Sequence, residues 1–378
     1  MSIFKRSSSA ATYRITSPDY VFIGLTAVIL LLGLLFLSSA TSVVGFQSYQ
    51  DSYYFLKHQL VYGLLPGLVL FWFLSVWPYQ RLKALAVPAL IFSVVALLAV
   101  FLPGLGFAYG GARRWLDFGS FVVQPSEFVK LAFLLYLSAW LANRGEEIRD
   151  LKAGLVPFII TLGIILGLVI LQPDVGTTTV IAVSSVVVFF VAGARLSHLA
   201  ALGGLGGALL WLVVKLAPYR VARLTVFLHP EFDPQGIGYH INQALLAVGS
   251  GGWFGVGLGY SRQKHQYLPQ VTGDSIFAVV AEELGFVLTT LFLLVITAWF
   301  VRAFRIVRSA PDNFGRILGS GILAWLGWQM CINIASMLNL LPLTGVPLPF
   351  VSAGGTALVT ALGAVGILVN MSRQVKTS

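Results

Sequence analysis

Residues Tyr267 to Phe286 read YLPQVTGDSIFAVVAEELGF and combine an apolar segment with three carboxylates. This stretch sets Asp274 at the start of the apolar segment, with Glu282 and Glu283 about two helical turns further along. At roughly 1.5 Å of rise per residue, Glu282 would lie about 12 Å beyond Asp274, within the hydrocarbon if the segment crosses a membrane. A charged side chain facing lipid there costs on the order of 2.5–3.5 kcal/mol. These acids therefore predict a protein-lined, hydrated cavity that opens at Asp274.

The composition is that of a polytopic membrane protein. Of 378 residues, 57% are hydrophobic and 10% are charged, whereas soluble domains are about one-quarter charged. The net charge of +10 comes from basic residues in short loops, without runs that interleave aromatic residues, so we expect no nucleic-acid partner. The single cysteine, Cys331, lies in an apolar segment, which excludes a disulfide framework and a thiolate metal site.

Apolar runs of about twenty residues predict an all-α membrane fold with about ten transmembrane helices. The predicted spans are 20–40, 58–77, 83–103, 127–143, 153–172, 175–194, 197–216, 275–301, 317–341 and 353–372. They define a membrane domain at 20–372, tails at 1–19 and 373–378, and one long loop at about 217–273 between spans seven and eight.

Basic residues divide the predicted loops into two classes. One class, together with both tails, carries most of the lysines and arginines, whereas the opposite short loops carry only Lys57, Arg113 and Arg114. By the positive-inside rule, both termini lie in the cytoplasm and the long loop lies outside, as an even number of spans requires. The polar stretch 1–19 is too long for a signal peptide by itself, so we interpret it as a cytoplasmic tail.

Two polar sites lie at the outer ends of predicted helices. Glu127 and Lys130 are one helical step apart in the fourth span. They are either an ion pair that neutralises itself to enter the membrane, or a polar wall of the cavity with Arg114. Asp174 lies in the short turn between spans five and six and is either an N-cap or a further cavity residue.

The stretch LPLTGVPLPFVSAGG, residues 341–355, is uncharged and rich in proline and glycine. Such a segment cannot form a regular spanning helix. We expect a broken or re-entrant turn that lines a cavity and presents the Ser352 and Thr356 hydroxyls.

The long loop is predicted to contain an amphipathic helix at the membrane interface. Its apolar residues recur at helical spacing opposite a second face with His240, Gln243 and Ala247; they are Ile241, Ala244, Leu245 and Val248. The glycine-rich run 249–259 follows no soluble strand, which argues against a dinucleotide-binding loop.

Cations gather in the long loop, near Asp274. They are Arg220, Arg223, Arg262 and Lys264. A long loop is exempt from the positive-inside rule, so these charges either have no topological meaning or bind an anionic lipid headgroup, in particular a diphosphate.

Five motifs, in order, resemble the SEDS family of shape, elongation, division and sporulation proteins. They are GARRWLDFG with QPSEFVKLA, then LQPDVGTT, then YRVARLTVFLHPEFDPQGIGYHINQALLAVGSGGWFGVGLG, then YLPQVTGDSIFAVVAEELGF, and LTGVPLPFVSAGG. The resemblance implies a peptidoglycan glycosyltransferase that polymerises lipid II at the outer face of the bacterial cytoplasmic membrane. It matches Asp274 to the family's essential aspartate, and Arg114, Glu127, Lys130 and Asp174 to its polar cavity residues.

The resemblance also implies partners and leaves one choice open. We expect a class B penicillin-binding protein as transpeptidase partner, other divisome or elongasome proteins, and membrane lipids. The FtsW-like division branch is favoured over the RodA-like elongation branch. The chain departs from the usual family sequence at Thr272–Ser275, where His-Thr-Asp-Phe is more frequent, and at Ala353, where tyrosine is more frequent.

Joining two lipid-linked sugars requires a base for the acceptor hydroxyl and positive charge for the departing diphosphate. Asp274 is the candidate base, with an N-cap role as the alternative. A divalent cation, Mg²⁺ or Mn²⁺, is expected to bridge Asp274 and the diphosphate if one takes part, and no organic cofactor is expected. The candidate substrate-binding residues are Arg114, Glu127, Lys130, Asp174, Arg220, Arg223, Gln243, Arg262, Lys264, Glu282, Glu283 and Ser352.

Two other functions fit a ten-span protein with intramembrane acids. A flippase for lipid II would need polar residues through the whole membrane thickness, but the cytoplasmic halves of the predicted spans are nearly bare. A non-enzymatic scaffold for a transpeptidase would leave the intramembrane acids unexplained.

Overall fold

Long helices lie at all ten positions where the sequence predicts spans. The computed structural model describes residues 13–109, 112–119, 121–216, 218–229, 233–236 and 238–376. The helices at the predicted spans are α1 Tyr20–Tyr49, α2 Tyr54–Gln59 with α3 Leu65–Val76, α4 Leu82–Ala99, α5 Pro125–Ala142, α6 Val156–Ile170, α7 Val175–Val191, α8 Leu196–Lys215, α11 Ile276–Arg308, α12 Asn313–Met337 and α13 Gly355–Ser372. A π-helical turn at Leu60–Leu64 joins α2 to α3.

Seven of these stretches, within the described residues, are long and apolar enough to cross a membrane. They are Tyr20–Tyr49, Tyr54–Val76, Tyr79–Ala99, Leu151–Ile170, Ile276–Arg308, Asn313–Met337 and Gly355–Ser372. The stretches Val175–Val191 and Leu196–Leu212 are shorter but also apolar, and α5 carries the charged Glu127 and Lys130. The predicted all-α membrane fold is confirmed.

In the described part of the long loop there are two helices, α9 Pro218–Leu228 and α10 Tyr239–Ser250. α10 packs against α11, and its buried residues are Ile241, Ala244 and Ala247. The amphipathic helix is therefore present, but Ala247 lies on its buried face and not on the polar face that the sequence predicts. A small alanine there fits the helix contact, because its side chain leaves room for a close approach.

Among the described residues there are also two small antiparallel sheets, which the sequence did not predict. Strands β2 Gly106–Tyr109, β3 Ala112–Asp117 and β4 Val122–Val123 form one sheet between α4 and α5. Strand β1 Tyr13–Ile15 pairs with β5 Gln374–Lys376. This pairing places the two ends of the described chain on the same side of the helix bundle.

α11 is broken at Gly285, which has a φ of 69° and a ψ of −176°. At the break, residues 252–257 supply the hydrogen-bond partners that a continuous helix would give to the backbone of α11. The amides of Val256 and Gly257 donate to the carbonyls of Glu282 and Glu283, each at 3.1 Å, and the Phe286 amide donates to the Gly252 carbonyl at 2.8 Å. Every one of these backbone groups is thus satisfied without a continuous helix, as a low-dielectric interior requires.

Glycine is required on both sides of this contact. A Cβ on Gly255 would lie 2.1 Å from the Glu283 carbonyl oxygen, and one on Gly285 would lie 2.1 Å from the Gly255 nitrogen. Gly255 also has a φ of 77°, a conformation that residues with a Cβ rarely adopt. The glycine-rich run therefore serves close backbone packing against α11.

Candidate active site

Asp274 lies at the end of the long loop, directly before α11, and its backbone is held from two sides. The Asn333 side chain of α12 donates from Nδ2 to the carbonyl oxygens of Asp274 and Val346, each at 2.8 Å. Ser352 donates from Oγ to the Gly273 carbonyl at 2.6 Å. Two segments that are distant in sequence, α12 and the turn at Ser352, therefore fix the backbone position of Asp274.

The carboxylate of Asp274 is partly buried and does not cap α11. The N-cap residue is Ser275, without a side-chain capping bond, so the alternative N-cap role of Asp274 is wrong. The Asp274 Oδ1 atom is buried and has no hydrogen-bond partner among the described residues. Burial raises the pKa of Asp274, while nearby His240 and Arg223 act in the opposite direction. Such an oxygen is suited to accept a proton or to bind a cation.

The segment between α12 and α13 is a broken turn, as the sequence predicts. Gly345 and Phe350 have positive φ angles of 72° and 67°, and the Leu348 amide donates to Ser352 Oγ at 2.8 Å. A Cβ added to Gly345 would lie 3.8 Å from Asp274 Oδ2. The turn therefore lies directly against the carboxylate.

Glu127 and Lys130 form a buried ion pair on α5. Lys130 Nζ lies 2.8 Å from Glu127 Oε1, and the Lys130 and Glu127 side chains are 2% and 3% exposed. Lys130 also donates to Gln329 Oε1 of α12 at 2.9 Å. Glu127 and Ser352 line one small cavity of about 10 Å³, enough for a single water molecule. The pair therefore neutralises itself, and of the two side chains only Glu127 lines this cavity; the predicted polar wall that also includes Lys130 and Arg114 stays a prediction.

Arg114 and Asp174 meet at the turn before α7. The Arg114 guanidinium donates to the carbonyl oxygens of Gln172, at 3.0 Å, and of Pro173. Asp174 is the N-cap of α7 and accepts from the Thr177 amide at 3.0 Å, which confirms the capping interpretation. Strand β3 carries Arg114, so the small sheet positions a cation at this turn.

The cations of the long loop do not all lie near Asp274. Arg223 donates from Nη1 to the Leu343 carbonyl at 3.4 Å, and so it lies on the turn beside Asp274. Arg262 is exposed, whereas Lys264 is 3% exposed and turns into the protein. The predicted cluster of cations near Asp274 therefore does not include Lys264, which pairs with the buried Glu283.

Two further candidates have less defined surroundings. Gln243 lies on α10, one helical step from His240 and partly exposed. Arg220 belongs to α9, but its side chain lies outside the described residues.

Glu283 is the acid that pairs with Lys264. Lys264 Nζ lies 3.1 Å from Glu283 Oε1, and the Lys264 and Glu283 side chains are 3% and 2% exposed. Ser39 of α1 donates from Oγ to both carboxylate oxygens of Glu283, at 2.7 and 2.6 Å. Ser39 also lines an open groove of about 750 Å³ between α1, α2 and the loop at Leu258.

Glu282 is held mainly by backbone amides. Its carboxylate accepts from the amides of Arg262, at 3.0 Å, and Gln263, at 3.4 Å, and from the Ser261 hydroxyl. The sequence predicted that Glu282 and Glu283 face a hydrated cavity that opens at Asp274. This is wrong for both acids, because protein groups satisfy their carboxylates. Residues 261–264 supply hydrogen-bond donors to Glu282 and Glu283, and these bonds offset the free-energy cost of burying the two carboxylates.

His240 is a neighbour of Asp274 that the sequence did not identify as a site residue. Its Nε2 lies 2.6 Å from Ser275 Oγ. Burial lowers the pKa of His240, an effect that Asp274 opposes and Arg223 reinforces. The contact joins residues 35 positions apart, so only the packing of α10 against α11 reveals it.

Within the described residues there is no group of three or more His, Cys, Asp or Glu side chains that could hold a metal ion. Asp274 offers one carboxylate with an unsatisfied oxygen. Mg²⁺ is often bound by one or two carboxylates together with substrate phosphates. The residues present therefore fit a cation that a phosphorylated substrate shares.

Comparison with known proteins places the whole chain in one family. A family model described as "Cell cycle protein", and named for FtsW, RodA and SpoVE, matches residues 19–377. Stage V sporulation protein E of Bacillus subtilis is 40% identical over 367 residues, which are 96% of this chain and 99% of that protein. A probable peptidoglycan glycosyltransferase FtsW of Trichlorobacter lovleyi is 37% identical over 367 residues, 96% of this chain and 95% of that protein.

Two solved structures share the fold. One is a chain of a peptidoglycan synthase complex that coordinates polymerization and crosslinking, with a TM-score of 0.78, 29% identity, and coverage of 94% of this chain and 98% of that chain. The other is the rod shape determining protein RodA of Thermus thermophilus, with a TM-score of 0.67, 28% identity, and coverage of 94% and 97%.

Proposed function

Because this chain belongs to the family of cell cycle proteins named for FtsW, RodA and SpoVE, we propose that it is a peptidoglycan glycosyltransferase that polymerises lipid II into glycan strands. The observation that carries the proposal is Asp274, whose backbone is held in place and whose carboxylate has one buried oxygen that lacks a partner among the described residues. Several relatives bear the name FtsW, which favours a role in cell division over one in elongation.

In the proposed reaction, Asp274 acts as general base. It accepts the proton of the acceptor sugar hydroxyl on a carboxylate oxygen, and the resulting oxygen nucleophile forms the glycosidic bond to the anomeric carbon of the donor. The bond between that carbon and the diphosphate oxygen breaks, and the diphosphate leaves with the electron pair. The raised pKa of Asp274 suits this role, because it makes the ionised carboxylate a stronger base than an exposed aspartate.

Arginines on two sides are the proposed partners of the departing diphosphate. Arg223 lies beside the turn that covers Asp274, through its bond to the Leu343 carbonyl. Arg114 lies at the turn before α7. Guanidinium groups bind phosphate through paired, charge-assisted hydrogen bonds. If a divalent cation is bound, Asp274 would hold it together with the diphosphate and it would supply further positive charge.

We further propose that the protein resides in the bacterial cytoplasmic membrane, with both termini in the cytoplasm. The excess of basic residues in the tails and alternate loops supports this orientation, and the pairing of β1 with β5 supports a common side for the termini. A structural neighbour comes from a complex that polymerises and crosslinks peptidoglycan, which supports a transpeptidase, of the class B penicillin-binding proteins, as partner.

The decisive experiment is the exchange Asp274→Asn in purified protein supplied with lipid II, the partner and a divalent cation. Asparagine keeps the size of the side chain but removes the base, so glycan formation should fall by about 10² to 10⁴, the range of general base catalysis. Lipid II binding should survive, because the arginines remain. Asp117→Asn, in an exposed carboxylate of β3, is the matched control and should polymerise at the wild-type rate.

Two results would contradict the proposal. A normal polymerisation rate for Asp274→Asn would leave the enzyme standing and reject this residue as the base. Wild-type protein that makes no polymer, yet moves labelled lipid II between membrane leaflets, would establish the flippase in place of the polymerase.

A further inference from the structure

We infer that His240 is a positioning residue for Asp274 and acts through the hydroxyl of Ser275. The inference rests on the proposed function, since it assigns a role around the same base. It concerns a contact between α10, in the long loop, and the residue at the start of α11 that follows Asp274 in the chain.

The geometry fixes which atoms carry hydrogen. His240 Nε2 lies 2.6 Å from Ser275 Oγ, and the same Oγ lies 2.7 Å from the carbonyl oxygen of Pro269. A serine hydroxyl has one proton, and a carbonyl oxygen can only accept. When Ser275 donates to Pro269, its oxygen must accept from His240, and the proton of the neutral imidazole is therefore on Nε2.

Ser275 directly follows Asp274 in the chain, so its bond to the Pro269 carbonyl closes a short loop, residues 269–275, that contains Asp274. Within the same loop, the Gly273 amide donates to the Gln270 carbonyl at 2.9 Å. A ring whose Nε2 lacked a proton would instead draw the Ser275 proton to itself. His240 in its Nε2–H form thus keeps the single serine proton on the Pro269 carbonyl and so holds the loop that carries Asp274.

The surroundings hold this arrangement rigidly. Ser275 is fully buried, and α10 packs its apolar residues, among them Ile241 and Ala244, against α11. On the other side, Asn333 holds the Asp274 carbonyl at 2.8 Å. The carbonyl of Asp274 is therefore held by α12, and the hydroxyl of the next residue, Ser275, is oriented by α10; second-layer contacts of this kind support a reacting residue.

The first test compares His240→Gln with His240→Leu, and both with Ser275→Ala. Glutamine keeps an N–H donor of similar reach, whereas leucine keeps bulk without a donor. His240→Leu and Ser275→Ala should each lower kcat for polymerisation by about tenfold to hundredfold, with KM for lipid II unchanged. His240→Gln should retain most of the wild-type kcat. His265→Leu, in an exposed histidine of the same loop, is the control and should behave as wild type.

A second readout needs no activity and separates this inference from the proposed function. The ¹⁵N spectrum of the imidazole, with labelled histidine in nanodiscs, distinguishes a protonated Nε2 from a protonated Nδ1. Wild type should show the Nε2–H tautomer for His240, and Ser275→Ala should change that signal. A Nδ1–H tautomer, an equal loss of kcat in the glutamine and leucine variants, or a change confined to KM would each overturn the inference. Wild type without polymerase activity, but with the Nε2–H signal, would reject the proposed function alone.

Discussion

Replacing Lys264 by methionine tests whether this cation serves the fold or the substrate. Lys264 and Glu283 are 3% and 2% exposed and lie 3.1 Å apart. Methionine fills a similar volume without charge, so the exchange would leave the Glu283 carboxylate with hydrogen bonds from Ser39 and the Ser261 amide. Removing one partner of a buried pair costs about 3–5 kcal/mol, because the remaining charge is uncompensated.

Thermal unfolding in a single detergent measures this cost. Lys264→Met should lower the unfolding midpoint markedly, and adding Glu283→Gln to the same chain should restore most of the loss, since no buried charge then lacks a partner. Arg262→Met is the matched control, because Arg262 is exposed; it should leave the midpoint nearly unchanged.

The opposite pattern would refute this reasoning. If Lys264→Met unfolds at the wild-type temperature but binds lipid II more weakly, the lysine faces the substrate, as the sequence alone suggested. If the second exchange, Glu283→Gln, lowers the midpoint further, the two groups are not a compensating pair.

Four further predictions concern the loop, the base and the topology. Gly255→Ala should prevent the close contact with α11 and lower the unfolding midpoint, because a Cβ there meets backbone at 2.1 Å; Gly249→Ala, where nothing lies within 4 Å, is its control and should not. Burial raises the pKa of Asp274, so polymerase activity should disappear on acidification at a pH above the ordinary value of 3.8. The same raised pKa means that ionisation removes stability as the pH rises through it, so Asp274→Asn should be at least as stable as wild type at neutral pH; a lower midpoint would contradict this. Cysteines at Glu147 and Gln235, in a chain without other cysteines, should react with impermeant reagent from opposite sides of the membrane, and labelling from one side would overturn the proposed topology.

The membrane helices are predictable because one physical requirement dominates them. A spanning segment needs about twenty consecutive apolar residues, and all ten predicted runs coincide with helices. The run predicted at 58–77 corresponds to Tyr54–Val76, and the run at 353–372 to Gly355–Ser372. The boundaries shift by a few residues, because caps and local contacts decide where each helix ends.

The break in α11 is not predictable in the same way. Ala281–Leu284 consists of residues that favour helix, and the break exists because residues 252–257 supply the hydrogen bonds that the helix gives up. The partners of Glu282 and Glu283 follow from that same loop. Their depth along the chain suggested a cavity, but no local pattern reveals which distant residues approach them.

Some residues of the candidate site are predictable from the sequence, and others are not. Asp274 and the broken turn with Ser352 stand out by residue type and position, and the sequence identifies both. His240 resembles any polar residue of an amphipathic helix until α10 is packed against α11. Contacts that join separate segments through single side chains leave no periodic signal in the sequence.

The interruption at Gly285 makes α11 two mechanical bodies. A continuous helix transmits a displacement or a rotation along its axis. Here the backbone groups that would connect the two halves form hydrogen bonds with residues 252–257 instead. A displacement of the lipid-facing half, Phe286–Arg308, therefore reaches the short buried half through the glycine-rich loop. We therefore expect substitutions that weaken the contact between residues 252–257 and α11 to weaken the mechanical coupling between the two halves of α11.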